Sequence, residues 1–426
     1  MIRDMNYSLS WLLIISKANK GIKIMKPQYI KDFEKLGFGL FVHFGLYSMI
    51  GKGEWYEHVY DVDKAEYHKL FDKIKVSKSW AINLVRTAKK AGAKYITLTT
   101  RHHDGFSLYD TRGLSNFDAP HSAVKRDLIR EFVDACNKEG IVPMFYHTLL
   151  DWDKEEYQKD FPKYIDYLIK SVEVLCTNYG PIGGLWFDGY WDKPNEDWQF
   201  DRLYKMIRKH QPNAMIINNT GLSALGEVSH YDIDSVTFER GKPFAVSSKD
   251  GKERAGEVCD SLTDHWGYAK NDIVFKSIPY LIDELVECRY NKCNLLLNIG
   301  PLPSGEIRPM EKCTLLEFGK WVNKYSHIIH ECKPSKIKAD NAYIFEDDKY
   351  HYALIANVPM SANENVTRQQ NRPQVVIRTD KKIVEARYMD TNEQKVVVNQ
   401  KTHSFDVLPF MYGTSYHMRI VRLKLK

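Results

Sequence analysis

The sequence predicts an α/β chain in which parallel strands and helices alternate over residues 25–335, followed by a small antiparallel β-sandwich over residues 336–426. Three observations predict it. Short apolar runs alternate with amphipathic helical segments from residue 37 to about residue 300, and repeated helix–strand units of that length build a parallel sheet. The loop after the first run, HFGLYSMIGKGEW, has neither GxGxxG nor GKS/GKT, so the phosphate loop expected of an open doubly wound sheet is missing. Past residue 335 short alternating runs separated by polar turns take over, with no long helix between them, as in a sandwich.

The elements follow in order. LFVHFG (40–45) is the first strand. SWAINLVRTAKKAG is a helix with Ser79 at its N-cap, apolar residues at 80, 81, 84, 85 and 88, and Gly92 as its stop. YITLTT (95–100) is the second strand. RDLIREFVDACNKEG, apolar at 128, 129, 132, 133 and 136, ends at Gly140 and leads into VPMFYHT (142–148). YIDYLIKSVEVLC leads to GGLWFDG (183–189), FDRLYKMIRKH to AMIINN (214–219), and YLIDELVECRYN to NLLLNIGP (294–301). With the less regular segments 233–240 and 257–262, these runs suit a closed (β/α)8-like TIM barrel of about eight strands. In the C-terminal region NAYIFEDD, YHYALIANV, QVVIRTD, IVEARYM, KVVVN and YHMRIVRLKL are the sandwich strands, and QQNRPQ (369–374) is a hairpin loop.

Composition narrows the function classes. The net charge is only +6 and the lysines are scattered, so nucleic acid is not an expected partner. No apolar stretch reaches the roughly 18 residues of a membrane span. Seven cysteines, an odd number without a CxxC pair, read as reduced core thiols and imply a reducing compartment. Trp11–Ile15 is too short for a signal-peptide core. Residues 1–24 are therefore expected to be a weakly ordered extension ahead of a start at Met25, and the protein to be cytoplasmic. Oligomeric state is left open, a homo-oligomer included.

The strand ends carry the chemistry. The first ends at His43, the second at His102 and His103, the third at Tyr146 and His147, the fourth at Asp188, and the fifth at Asn218 and Asn219. In a (β/α)8 barrel those ends converge on one face, so they describe one polar pocket. Within GLWFDG, alternation puts Leu185 and Phe187 on the helix side and Trp186 and Asp188 inside. His43, His102 and His103 could hold zinc as a three-histidine site. However, adjacent histidines project differently, and no HxH or HExxH spacing is present. Imidazoles also bind hydroxyls at fixed geometry, and with tryptophan and tyrosine walls that describes a sugar pocket better. Breaking a glycosidic bond takes two carboxyls. Asp188 is the nucleophile candidate, and the acid is Glu239 in TFERG or Glu257 in GEVCDSLTDHWGY. Residue chemistry alone does not choose between them. A metal-dependent barrel hydrolase and a non-catalytic sugar-binding barrel are the competing readings. The paired carboxyls speak against the second.

HFGLYS with EWYEHVY, then LTTRHHDGFSLYD, KRDLIREFVDAC, LWFDGYW and NLLLNIGP resemble, in that order, the α-L-fucosidases of glycoside hydrolase family 29. The likeness spans roughly residues 30–335. It implies a retaining exo-acting enzyme that removes terminal α-L-fucose from fucosylated oligosaccharides or glycoconjugates, with no cofactor and no metal. It assigns the nucleophile to Asp188 and sugar contacts to His43, Glu54, Trp55, His102, His103 and Tyr146. Trp266 and Arg240 are further candidate substrate contacts, with a surface arginine beside Lys242 as the alternative for Arg240. Many members carry Trp-Glu-x-Cys and then Trp-Gly-Tyr. Here Glu257, Cys259 and Trp266-Gly267-Tyr268 match, but Gly256 replaces the first tryptophan. The resemblance favours Glu257 as acid/base, with Glu239 as the alternative.

Overall fold

The computed structural model describes residues 26–222, 226–244, 246, 250–360, 373–390 and 394–426. The extension at 1–24 and most of the 369–374 loop lie outside the described residues.

Eight parallel strands close into a barrel in chain order: β1 (Phe38–Val42), β2 (Tyr95–Arg101), β3 (Val142–Thr148), β4 (Gly184–Asp188), β5 (Met215–Asn218), β6 (Ser235–Glu239), β7 (Ala255–Ser261) and β8 (Cys293–Ile299). β8 pairs back onto β1, with Phe41 opposite Asn298. The two irregular segments of the sequence supply β6 and β7. Alternation sorts the side chains: Leu40, Val42, Leu98, Phe145 and Leu185 pack outward under the helices. Phe41, Tyr95, Met144, Tyr146 and Trp186 fill the interior.

Local chemistry sets the helix limits. Asp127 caps Leu128–Glu139 by accepting from the Arg130 N–H at 2.9 Å, satisfying an orphan donor of the first turn. Gly140 ends that helix in the left-handed region at φ 71°, which glycine adopts without strain. Ser79 does sit at the N-cap of Trp80–Lys90, but its hydroxyl makes no cap bond. It turns instead to Ser77 and Glu306. The helix Gln28–Leu36 closes the barrel floor: Ile30 and Phe33 enter the interior, with the Phe33 ring edge-on to Tyr95 at 5.5 Å. A cavity lies at the C-terminal mouth.

The C-terminal strands β9 (Lys333–Pro334), β10 (Lys338–Asp340), β11 (Tyr343–Glu346), β12 (His351–Ile355), β13 (Gln374–Arg378), β14 (Ile383–Tyr388), β15 (Ser404–Asp406) and β16 (Arg419–Leu425) form two sheets, ordered 10-13-15 and 14-16-12-11-9. Every pairing in them is antiparallel. Ile344, Ile355, Val375, Ile377, Val421 and Leu423 form their common core.

Candidate active site

The barrel mouth holds a cavity of about 460 Å3, including its opening, lined by Phe41, His43, Trp55, His102, Tyr146, Trp186, Asp188, Trp191, Leu222, Glu239, Cys259 and Trp266. Its size suits a small polar molecule with an apolar side.

Backbone register aims the histidines. The β2–β3 pairing shifts between Thr99 and Arg101. Such a bulge re-aims the side chains beyond it. Arg101 turns to Tyr167 and Ser171 on the outer helix, while His102 lines the cavity. The turn continues through Gly105 at φ 79°, where any Cβ would lie 2.5 Å from Asp153. Asp104 serves that turn by accepting from Phe106 N–H and the Tyr67 hydroxyl.

Hydrogen bonds fix which imidazole nitrogens carry protons. Asn298 Nδ2 donates to the Trp266 carbonyl at 2.8 Å, so its Oδ1 faces His43 Nδ1 at 2.7 Å. That nitrogen must donate, which leaves Nε2 of His43 as an acceptor. The Thr148 hydroxyl spends its proton on the Leu150 carbonyl. His103 Nδ1, 2.6 Å from that hydroxyl, must therefore donate too. Burial keeps both rings neutral, pushing His43 down to about 4 and His103 to about 3. His103 Nε2 and Asp188 Oδ2 then face each other as two acceptors 3.7 Å apart, a slot that suits a hydroxyl donor. His102 is held neutral by burial and by its two histidine neighbours, and its Nδ1 has no hydrogen-bond partner among the described residues.

Asp188 ends β4 with its side chain 17 % exposed. Tyr146 donates to its Oδ2 at 3.2 Å and Asn219 Nδ2 to its Oδ1 at 3.3 Å. The same Asn219 nitrogen donates to Glu239 Oε2 at 2.6 Å. The two carboxyl oxygens thus lie no farther apart than about 6 Å, the sum of those lengths, which suits the roughly 5–5.5 Å of a retaining pair. Burial raises both groups. Glu239 is pushed up to about 7 by burial first and then by the Asp188 charge, against the Asn219 bond and Arg240. Asp188 is raised by burial but opposed by the donors from Asn219, the Gly189 backbone and Tyr146. Of two close carboxyls, the one with more donors ionises first. The balance of donors favours the anion on Asp188 and the proton on Glu239.

Glu257, the favoured acid/base of the resemblance, is not among the residues lining the cavity. It is fully buried, and its two oxygens accept from the Tyr95 hydroxyl at 2.6 Å and the Trp186 indole at 2.9 Å. Strand register explains this, because Glu257 pairs with Thr237, whereas Glu239 pairs with Cys259. Glu257 therefore sits two residues, roughly 7 Å, deeper in the barrel, with Trp186 above it. Burial raises it to about 7 as well, but it is not among the residues that line the cavity.

The other expected residues divide into wall and support. His43, Trp55, His102, Tyr146 and Trp266 line the cavity, and His103 packs against Trp55 at 5.4 Å. Glu54 is 5 % exposed, is absent from the cavity lining, and accepts from the Gly267 N–H at 2.6 Å, so it holds the Trp266 loop. Arg240 is exposed at the rim, 5.0 Å above the Trp266 ring, with its guanidinium donating to the Asp264 carbonyl. Trp191, stacked on Trp55 at 5.7 Å, was not foreseen, although it stands in the LWFDGYW segment three residues after Asp188. Asn219 was expected only as a polar strand end. Among the described residues, the groups with metal-ligand atoms mutually within 4.8 Å are His327/Cys332/Asp347 and Asp201/His230/Asp232. Neither includes a cavity histidine.

A sequence model of the family described as alpha-L-fucosidase matches residues 20–327. The tissue alpha-L-fucosidase of Bos taurus is 26% identical over 364 residues, 77% of this chain and 75% of that protein. The Homo sapiens tissue enzyme is 27% identical over 337 residues, covering 72% and 70%. Among solved structures, alpha-L-fucosidase isoenzyme 1 from Paenibacillus thiaminolyticus superposes with a TM-score of 0.81 at 29% identity, over 94% of this chain and 99% of that one. An alpha-L-fucosidase from Bacteroides thetaiotaomicron, solved as a trapped covalent intermediate with 2-fluoro-fucosyl fluoride, shares the fold at TM-score 0.79 and 23% identity, over 96% and 98%. With the family matched across the whole barrel that carries this cavity, the chain belongs to the alpha-L-fucosidase family of glycosidases.

Proposed function

We propose that this glycosidase removes terminal α-L-fucose from fucosylated oligosaccharides or glycoconjugates by double displacement, with Asp188 as nucleophile and Glu239 as acid/base. The observation that carries this reading is the shared Asn219 amide, which holds two cavity carboxyls close together at a spacing that suits a retaining pair. The acceptor nitrogen of His43 and the slot between His103 and Asp188 take sugar hydroxyls. Phe41, Trp186 and Trp266 give the apolar ring face and methyl group a surface. Asp188 attacks the anomeric carbon while Glu239 passes its proton to the departing oxygen. Glu239, now a carboxylate, takes a proton from water as the water oxygen attacks the same carbon, and Asp188 is released. The covalent intermediate trapped in the Bacteroides thetaiotaomicron relative supports this route.

Release of 4-nitrophenol from 4-nitrophenyl α-L-fucoside tests the assignment. Asp188→Ala should abolish turnover in folded protein, and added azide should restore a slow reaction giving the inverted β-L-fucosyl azide. Near-normal hydrolysis by that variant removes Asp188 from the mechanism. Seven free cysteines, six of them buried, support a reducing, cytoplasmic setting, which fractionation of intact cells tests.

A further inference from the structure

Thr237 lies on β6 two residues below Glu239, faces the barrel interior, and is 1 % exposed. It does not line the cavity. Its hydroxyl donates to Asn219 Oδ1 at 2.9 Å. Asn219 is itself 1 % exposed, and its backbone N–H is bonded to the Phe187 carbonyl of β4 at 2.9 Å. The amide is fully used: the oxygen takes Thr237, and the nitrogen gives one hydrogen to Asp188 and one to Glu239.

We infer that Thr237 is a positioning residue for the carboxyl pair: its hydroxyl locks the Asn219 amide with the nitrogen toward Asp188 and Glu239 and so keeps one donor on both groups through the catalytic cycle. The inference rests on the assignment of Asp188 and Glu239 made above. An asparagine amide is nearly symmetric in shape and can turn over. With Glu239 ionised, a turned amide would aim its oxygen at two anionic oxygens. With Glu239 protonated that penalty falls, because the carboxylic O–H can donate to the amide oxygen. Each turnover passes through both states, so the amide needs an anchor that does not titrate. A threonine hydroxyl supplies it. If the amide turned, its nitrogen would take the place of its oxygen beside Thr237. The hydroxyl would then lose its acceptor in a fully buried site.

The pair is ringed by other charged and titratable groups: His43 just after β1, Glu54 from the following loop, His103 after β2, Tyr146 from β3, Arg240 after β6 and Cys259 from β7. None of them contacts Thr237 by hydrogen bond, so removing its hydroxyl leaves their own bonds in place.

The test is the pH profile of kcat/KM on an alkyl α-L-fucoside, whose departing oxygen needs the proton, for Thr237→Val, Thr237→Ser and, should valine not fold, Thr237→Ala. T237V removes the anchor, so the Asn219 amide can turn and the donor it gives both carboxylates is weakened. Activity at the wild-type optimum should fall about tenfold, and both limbs of the profile should move alkaline by about half a pH unit or more. T237S keeps the hydroxyl and should retain both limbs. Folded T237V or T237A with both limbs unmoved overturns the clamp, whatever its rate. Asp188→Ala and Glu239→Ala run alongside. If they retain wild-type rates, the carboxyl assignment falls and the clamp falls with it. If they are crippled while the limbs of T237V stay still, the clamp alone falls.

Discussion

Glu239 and Glu257 stand on neighbouring strands, both face the barrel interior, and burial lifts both to about 7. One sits beside Asp188 and the other lies outside the cavity lining. Glu257 spends both oxygens on Tyr95 and Trp186, whereas Glu239 borders the cavity and shares its donor with Asp188. A raised carboxyl is therefore what burial produces, and it identifies an acid only when the proton can reach a leaving group. Tyr95 and Trp186 answer the cost of burying Glu257 with two donors, while Glu239 is left partly open to substrate.

The largest test of this contrast is leaving-group dependence. Glu239→Ala should slow a substrate with a sugar or alkyl aglycone by about 10²–10⁴-fold, but 4-nitrophenyl α-L-fucoside far less, since nitrophenolate departs with little protonation. Azide should accelerate the variant and give the retained α-L-fucosyl azide. Glu257→Gln should show no such split, with both substrates changing by a similar small factor. A leaving-group split in the Glu257 variant, and none in the Glu239 variant, would exchange the two roles.

The next effect is on stability. The ordinary glutamate value is 4.5, and Glu257 is held at about 7 in the fold. Between those values the native state keeps a proton that the unfolded chain has lost. The stabilisation from that proton is present in full below about 4.5 and is lost as pH rises through about 7. Urea denaturation at pH 5 and pH 8 should therefore show wild type weakening with pH. In Glu257→Gln the decline should be shallower, because one raised carboxyl is gone. The glutamine also turns an amide nitrogen toward one of two buried donors. At pH 5 it should cost about 1–3 kcal/mol. An unchanged pH slope in the variant removes Glu257 from the list of groups that titrate with folding.

Much of this contrast is absent from the sequence for a definite reason. The barrel strands were legible because apolar runs and helical spacing recur, and β6 and β7 were placed even though their patterns were irregular. Asp188 was legible because alternation within GLWFDG turns Trp186 and Asp188 to one face. The same alternation also turns Glu239 and Glu257 inward. What separates them is depth, set by pairing Glu239 with Cys259 and Glu257 with Thr237, and inter-strand stagger leaves no local mark on a sequence. The bulge after Thr99 is of the same kind: adjacent histidines could be named, but not that His102 lines the cavity while His103 packs beside Trp55. Asn219 and Thr237 were hidden for another reason. A bridging amide is defined only by the groups it touches, and those come from two other strands, β4 and β6.

Trp186 gives the smallest and sharpest test, because it touches both regions. Its indole N–H donates to Glu257 below, and its ring stacks on Tyr146, the donor to Asp188, at 5.8 Å and 20°. Trp186→Phe keeps an aromatic floor but removes the donor. Glu257 then loses one of the two bonds that oppose its burial, so its carboxyl should rise further and stability should fall by about 1 kcal/mol. If floor and mouth are separate, as the register places them, the pH profile of hydrolysis should hold its two limbs while the rate changes only a few-fold. A double-mutant cycle makes the separation quantitative. Trp186→Phe with Glu257→Gln should couple in stability, because each removes one end of the same bond. Trp186→Phe with Glu239→Gln should be additive, because Trp186 donates to neither Glu239 nor Asn219. Coupling in the second pair would mean that the floor transmits its charge to the catalytic pair, and the two glutamates would then have to be treated as one titrating system.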